Sequence, residues 1–164
     1  MKYQPFVVSA VIVATASVSV AYGPKPKPPT VTTVAVMDGA ASDTLAVNVS
    51  ELHSELGSVR CFLYDDEDDF PKSEKHIIGR AVAMPRDGKA TCMFVGMHPN
   101  RDYATFMMHD EDNNGTLKQG HFGIPIEGYG FSNNVHPHLS APSFDDCAFK
   151  FPSGSRQISI KPIY

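Results

Sequence analysis

The chain has 164 residues, of which 42% are hydrophobic and 20% charged, and its formal net charge is −4 at pH 7. This length suits one domain with a hydrophobic core, and the composition excludes a largely disordered chain. The acidic balance argues against binding to nucleic acid or to a strongly anionic lipid surface. The 13 prolines and 12 glycines indicate many turns and little helix.

The N-terminus follows the pattern of a secretory signal peptide. Lys2 supplies a short positive region, residues 6–20 are uncharged and mostly apolar or small, and Ala21 and Gly23 offer cleavage sites. The apolar stretch, about 15 residues long, is shorter than the roughly 20 residues that span a bilayer. We therefore predict a cleaved signal peptide over residues 1–23, no transmembrane anchor after cleavage, and an extracytoplasmic protein that is periplasmic or secreted.

A proline-rich segment follows the predicted signal peptide. Its first residues alternate proline with lysine, a composition that favours an extended, mobile tether. Farther along, Leu45, Val47 and Val49 alternate with small or polar residues, which is the period of a half-buried strand. The sequence therefore predicts a flexible tether over residues 24–43 and one folded domain over residues 44–164.

Short apolar runs separated by turn residues recur along that domain. We expect the turn at residues 54–57 to close a hairpin, and the last two strands to form another. The pattern predicts an all-β fold, a Greek-key β-sandwich of about seven strands with one long Gly/Asn-rich loop at residues 110–146. The predicted strands are residues 45–50, 58–64, 77–84, 90–95, 102–109, 147–151 and 157–162.

The three cysteines, Cys61, Cys92 and Cys147, show no Cys-x-x-Cys spacing, so no redox or zinc-ribbon motif is indicated. An exported chain meets an oxidising compartment, where one disulfide and one free thiol are expected. Cys61 and Cys92 both lie in strand-like runs that read as neighbouring core strands. We predict a disulfide between them and a buried free thiol at Cys147.

The sharpest local signal is an acidic loop after the fifth predicted strand. Asp110, Asp112 and Asn114 are spaced by two, and Gly115 stands at the sixth position. This is the first half of an EF-hand-type calcium loop, in which alternate oxygens converge on the ion and glycine permits the turn. The backbone carbonyl of Thr116 would be the next ligand. Calcium is therefore the candidate cofactor.

The second half of that loop departs from the calcium pattern. Lys118 stands at the ninth position and His121 at the twelfth, where a bidentate glutamate is expected. A turn rich in aspartate and asparagine, held by its own hydrogen bonds, is the alternative. His136 and His138 could suggest a transition-metal site, although histidines scattered in a loop are most often only exposed.

No motif of a nucleophilic or phosphate-binding enzyme occurs in the sequence, and we assign no catalytic residue. Glu127 could join Asp110, Asp112 and the loop histidines around a cleft, which would suit a small hydrolase acting on a sugar or peptide. The sequence spacing of these groups does not by itself indicate such an enzyme.

The segment at residues 122–134, Phe-Gly-Ile-Pro-Ile-Glu-Gly-Tyr-Gly-Phe-Ser-Asn-Asn, is distinctive. It follows the acidic loop and precedes residues 141–149, and earlier the strand at residues 59–64 is followed by an acidic run and Phe70-Pro71. In this combination the chain resembles the bacterial family known as domain of unknown function 2141. The turn at residues 96–103 is similar to the Gly-Leu-Pro-Pro-Gly-x-Tyr turn of that family.

The resemblance covers residues 45–164 and implies a periplasmic or secreted β-sandwich with no established activity. The Gly-x-Tyr turn is also similar to turns in prealbumin-like and carboxypeptidase-regulatory-like sandwiches, which are mostly binding or structural modules, so a prealbumin-like or immunoglobulin-like sandwich is expected. Members of the family usually carry an acid where this chain has Lys118.

The 122–134 segment is either a packed Ω-like loop or a binding surface. Its glycines allow a backbone path closed to other residues, its aromatic side chains can pack on the sandwich, and its asparagines can cap backbone groups or line a polar rim. The candidate surface residues are Phe122, Glu127, Tyr129, Phe131, Asn133 and Asn134.

Three functions follow from the sequence. We favour an exported, non-catalytic module that binds an unknown protein or cell-envelope component, with calcium as a candidate stabiliser. The alternatives are the small extracytoplasmic hydrolase and a purely structural envelope protein. None of them involves nucleic acid.

Overall fold

A computed structural model describes residues 33–68, 70–138 and 140–164. The predicted signal peptide and the first part of the predicted tether lie outside the described residues. The described part contains nine strands, one short helix and three single 3-10 turns. They are β1 Ala35–Val36, β2 Thr44–Val49, β3 Ser58–Tyr64, β4 Gly79–Ala83, β5 Ala90–Val95, β6 Asp102–Asp110, β7 Tyr129–Phe131, β8 Phe149–Lys150, β9 Ser155–Ile160 and α1 Phe144–Cys147, with 3-10 turns Glu74–His76, His121–Gly123 and Ser132–Asn134.

The strands form two sheets that pack face to face. The first sheet has the order β1-β5-β2-β9, and the second has the order β4-β3-β6-β7 with β8 paired to the start of β6. The predicted all-β sandwich is therefore confirmed. The strand count differs from the predicted seven because β1 and β7, with two and three residues, are too short to show a period of their own.

Both predicted hairpins are wrong. Strands β2 and β3 belong to different sheets, so residues 50–57 cross between the sheets rather than turn within one. Strand β8 pairs with β6, and β9 pairs with β2 in parallel. Alternating hydrophobicity indicates which face of a strand is buried. It does not indicate which strand lies beside it, so two consecutive strands can belong to one sheet or to two facing sheets.

The main core fills the space between the sheets. Leu45, Val47 and Val49 of β2 are buried in one cluster with Val59, Cys61 and Leu63 of β3. The predicted disulfide between Cys61 and Cys92 is present, with the two Cα atoms 6.3 Å apart. Its strands are not neighbours, however: Cys61 lies on β3 of the second sheet and Cys92 on β5 of the first, so the bond joins the two layers.

The two ends of the described chain cross from one sheet to the other. Thr33 pairs with Val82 on the second sheet, and β1 then pairs with β5 on the first. At the other side, β9 lies in the first sheet and Ile163 pairs with Tyr129 of the second. Residues 33–36, which the sequence assigns to the tether, thus close one side of the sandwich, and the C-terminal residues close the other.

Cys147 provides the first testable prediction. Burial, with a smaller contribution from the Asp146 carboxylate, raises the pKa of its thiol to about 12. Because the thiolate is the reactive form, we expect no labelling of native protein by a maleimide near neutral pH. Mass spectrometry should find one label in denaturant and three after reduction, since Cys147 is the free cysteine among three. Rapid labelling of the native protein would contradict the assignment.

Candidate functional site

The outer face of the second sheet is apolar, which is unusual for a sheet face that is not in the main core. A second hydrophobic cluster covers it and includes the buried rings of Tyr64, Phe70 and Phe131. Phe70 meets Tyr64 edge to face, with ring centroids 5.0 Å apart. The connections before β4 and after β6 fold back over this face, so that it is partly roofed.

Between these connections the face stays open as a groove. Its floor consists of Phe62, Phe106, Tyr129 and Phe131, and we call it the aromatic groove. Phe62 stacks on Phe106 with ring centroids 5.8 Å apart, and Phe106 lies 5.4 Å from Phe131. Phe131 is buried, whereas the other three rings are half-buried.

The aromatic groove has two adjoining parts. The larger cavity measures about 830 Å³ and the smaller about 290 Å³. Both are lined by Pro71, Lys72, Phe106 and Leu117, so they meet at these residues. The larger cavity extends over β7 toward residues 137–138 and 140–141, and the smaller extends toward β4.

The acidic loop begins where β6 ends. Asp110, the last residue of that strand, is fully buried and accepts hydrogen bonds from the backbone N–H groups of Asn114 and Gly115, both at 2.9 Å. The Nε of Arg60 lies 2.5 Å from Oδ2 of Asp110. Gly115, at φ of 83°, adopts the left-handed conformation that glycine accepts without strain.

Glu127 closes the base of this loop. It is only 4% exposed, and its two carboxylate oxygens accept from the backbone N–H of Glu111 at 3.1 Å and of Lys118 at 2.9 Å. The carboxylates of Asp110, Asp112 and Glu127 offer oxygens that all lie within 4.8 Å of one another. The structure therefore brings a third carboxylate to a loop whose twelfth position lacks one.

Two further contacts shape the outer side of the loop. Burial tends to raise the pKa of Asp112, but the backbone N–H of Asn114 and the Lys118 ammonium outweigh it and hold that pKa below its usual value. Lys118 Nζ lies 3.5 Å from Asp112. Thr116 donates to Oδ1 of Asn114 from its backbone N–H and its hydroxyl, both at 2.7 Å. The loop therefore contains the hydrogen bonds expected of an aspartate- and asparagine-rich turn.

The loop and the aromatic groove share a wall. Gly115, Thr116 and Leu117 belong to the loop and also line the smaller cavity. Arg60 lines the same cavity while its guanidinium binds Asp110. The acidic loop and the aromatic groove are therefore contiguous in the structure.

The structure describes the side chains of five of the six candidate surface residues, and these five divide into three groups. Tyr129 and Phe131 line the aromatic groove. Asn133 donates to the carbonyls of residues 146 and 148, and Asn134 bonds the carbonyl of residue 159 and the N–H of residue 161. These two side chains therefore cap backbone groups. Glu127 is buried in the loop base rather than displayed on a surface, and the side chain of Phe122 lies outside what the structure describes.

Two of the histidines are committed to structural contacts. His109 is fully buried, and its Nε2 donates to the carbonyl of Leu56 at 3.0 Å, so that Nδ1 accepts from the Tyr164 hydroxyl at 2.8 Å. Burial raises the pKa of Tyr164, which keeps that hydroxyl protonated as a donor. His98 pairs with Asp38 at 2.7 Å. His138 lines the larger cavity instead.

Sequence reasoning named Tyr129 and Phe131 but missed the other two rings of the floor, Phe62 and Phe106, and the charged rim of the groove. Phe62 and Phe106 occupy the alternate positions of β3 and β6, opposite the main core, and their aromatic character at outward positions was the available signal. Lys72, in the connection before β4, carries no such signal. Arg60 likewise reads as an ordinary outward-facing strand residue.

The fold and the site together define a two-sheet β-sandwich with a carboxylate-rich loop and an aromatic groove on one outer face. The chain belongs to the family domain of unknown function 2141, described as an uncharacterized protein conserved in bacteria, whose model matches residues 47–159. The resemblance noted from the sequence is therefore confirmed, and the match runs from within β2 into β9. No curated protein and no solved structure matches the chain.

One further structural finding concerns membranes. No helix in the described ranges has both the length and the apolar character that crossing a bilayer requires.

Proposed function

We propose that this protein is an exported, non-catalytic module that binds a cell-envelope component or a protein attached to it in the aromatic groove. The acidic loop forms part of the groove wall and holds a calcium ion that stabilises it. The observation that carries the proposal is the aromatic groove itself, a concavity of about 830 Å³ with an adjoining one of about 290 Å³.

The groove has the composition of a recognition site. Small-molecule and peptide sites are concave, largely apolar and furnished with a few polar groups. Phe62, Phe106 and Tyr129 stay half-buried on the outer face of a sheet, although folding alone would favour a polar residue there. Ile124, on the wall of the larger cavity, is 63% exposed. A partner that covers these side chains in the complex explains why they stay accessible in the free protein.

Export is supported by two observations of different kinds. The N-terminal sequence follows the grammar of a signal peptide. The disulfide between Cys61 and Cys92 belongs in an oxidising compartment, because cytosolic thiols are kept reduced.

The carboxylates of the loop support a structural role better than a catalytic one. Asp110 is held by Arg60 and two backbone N–H groups, and Glu127 is held by two more. A general acid or base must reach a substrate proton, whereas these buried groups face the loop backbone. Oxygen-rich surroundings of this kind suit calcium, and Glu127 supplies a carboxylate that the loop sequence lacks.

Calcium titration is the test of the metal part. After treatment with a chelator, addition of calcium at ten times its dissociation constant should raise the free energy of unfolding by about 1.4 kcal/mol. Asp112→Asn should weaken the response, and Lys118→Glu should strengthen it by removing a cation that competes for Asp112. Asp145→Asn, at an exposed position of α1, serves as the control.

Calorimetry and thermal melting provide the readouts of that titration. Absence of both heat and a melting shift at millimolar calcium would remove the metal part of the proposal. If Asp112→Asn and Asp145→Asn lose the same part of the calcium-induced stabilisation, the ion does not bind at Asp112.

Cosedimentation with bacterial envelope fragments tests the binding part. Wild-type protein should sediment with the fragments, and Ile124→Asp should lower the bound fraction by about tenfold, because a charge replaces an apolar contact. Ile126→Asp is the matched control, since Ile126 is 55% exposed on the same connection but does not line either cavity. If the wild type stays in solution, or if both variants bind alike, the groove is not the binding site.

A further inference from the structure

We infer that the aromatic groove takes an amphipathic organic anion, whose apolar body lies on the aromatic floor and whose negative head pairs with Lys72. This inference rests on the proposed function and names the chemistry of its ligand. It comes from the distribution of charge along the groove, which differs from that of the chain as a whole.

The larger cavity contains an isolated positive charge. Among the described residues that line it, Lys72 is the one Lys or Arg, and none is Asp or Glu. No ion pair joins Lys72 to another described residue, whereas Arg60 pairs with Asp110 and Arg80 with Glu74. Among the described Lys and Arg side chains that line the groove, Lys72 is therefore the one left available to a ligand.

The smaller cavity does not offset this charge. It is lined by Lys72, Arg60, Arg80 and Glu74, so its one acid faces three cations. Glu74 lies 3.6 Å from Arg80, and Asp110 is buried behind Arg60. The unpaired positive charge of the groove therefore lies at the junction of the two cavities, at Lys72.

The rest of the larger cavity suits an apolar body. Phe106, Tyr129, Leu117, Ile124 and Pro125 line it, and its volume of about 830 Å³ falls within the range of roughly 300–1,000 Å³ usual for small-molecule sites. A linear or aromatic apolar group on this floor would exclude water from the half-buried rings.

A neutral sugar fits the same groove less well. Covering Lys72 with an uncharged ligand would remove its ammonium from water without supplying a counter-charge, and that desolvation opposes binding. An anionic head supplies the counter-charge, and the charge-assisted hydrogen bond that results is stronger than one to a neutral group. Charge complementarity therefore selects an anion with an apolar body.

Isothermal titration of the full chain with three probes tests the inference. Sodium decanoate should bind at one site, 1-decanol should bind about tenfold more weakly, and maltose should give no heat. Lys72→Ala should weaken decanoate binding about tenfold and leave decanol unchanged. Lys75→Ala is the matched control, because Lys75 is an exposed lysine of the same connection that lines neither cavity.

Each other outcome has a distinct meaning. If decanoate and decanol bind with equal affinity, or if Lys72→Ala binds decanoate as the wild type does, the ligand need not be an anion. The groove would then still be a binding site. If maltose binds more tightly than decanoate, the ligand class is a carbohydrate and not an anion. If no probe binds while Ile124→Asp still lowers cosedimentation with the envelope, the ligand chemistry is wrong and the proposed function stands. If both experiments fail, so do both proposals.

Discussion

Replacing Cys61 and Cys92 together by alanine is expected to lower the free energy of unfolding by about 3.5 kcal/mol. The two residues are 31 positions apart in the chain, and cross-linking them removes the corresponding closure entropy from the unfolded state. The bond also joins the two sheets, so its loss affects the contact between layers rather than one hairpin. Urea unfolding of the oxidised wild type and of the double variant measures the difference.

Reduction of the wild type provides an internal control for this prediction. A reducing agent should lower the stability of the wild type toward that of the double variant and leave the variant unchanged. Cys147 has no disulfide partner, so it adds no second bond to the comparison. A loss below about 1 kcal/mol would show that the bond contributes little beyond an ordinary side-chain contact.

In the calcium-free protein, Arg60→Ala is expected to lower the free energy of unfolding by about 3 kcal/mol, because it leaves the fully buried Asp110 carboxylate without its counter-charge. This value is the low end of the range for breaking a buried pair. The side chain of Arg60 is 29% exposed, so water can reach part of the site after substitution. The two backbone N–H donors to Asp110 also remain.

Arg80→Ala is the matched control for Arg60→Ala. Arg80 lies on the neighbouring strand β4 and pairs with Glu74, but the two side chains are 50% and 87% exposed. Exposed pairs of this kind contribute less than about 1 kcal/mol. Equal losses in the two variants would contradict the special role of Asp110.

A double-mutant cycle separates the charge pair from the packing of Arg60. Asp110→Asn removes the buried charge, so Arg60→Ala should cost much less in that background than in the wild type. Additive losses in the cycle would mean that Arg60 acts through its aliphatic stem alone.

Arg60 links the two parts of the proposed site. Its guanidinium binds the first carboxylate of the acidic loop, while its side chain lines the smaller cavity of the aromatic groove. Calcium at the loop and a ligand in the groove would therefore act on neighbouring faces of one residue. Measuring decanoate binding with and without calcium would determine whether the two events are coupled.

The residue spacing of the acidic loop predicts part of its structure. The positions of Asp110, Asp112 and Asn114 predict a tight turn with converging oxygens, and the turn has the hydrogen bonds this implies. The spacing does not predict Glu127, which reaches the loop base from beyond the connection at residues 119–126. Two distant chain segments meet there because β6 and β7 pair side by side.

The sequence by itself determined the local elements of the sandwich. A period of two in hydrophobicity fixes where a strand lies and which face is buried, so β3 and β5 were predicted at their observed bounds. It also determined the family and the pairing of Cys61 with Cys92, although the bond joins strands of different sheets rather than the neighbouring strands that the sequence indicated.

Only the tertiary structure decided which strands are neighbours, and with that the groove. The hydrophobic effect rewards burial without specifying the partner, so β2 followed by β3 reads equally as a hairpin or as a crossing between sheets. The crossing leaves Phe62 and Phe106 together on an outer face, where the connections fold back around them and place Lys72 at the junction of the two cavities. These residues are far apart in the chain, and no local pattern brings them together.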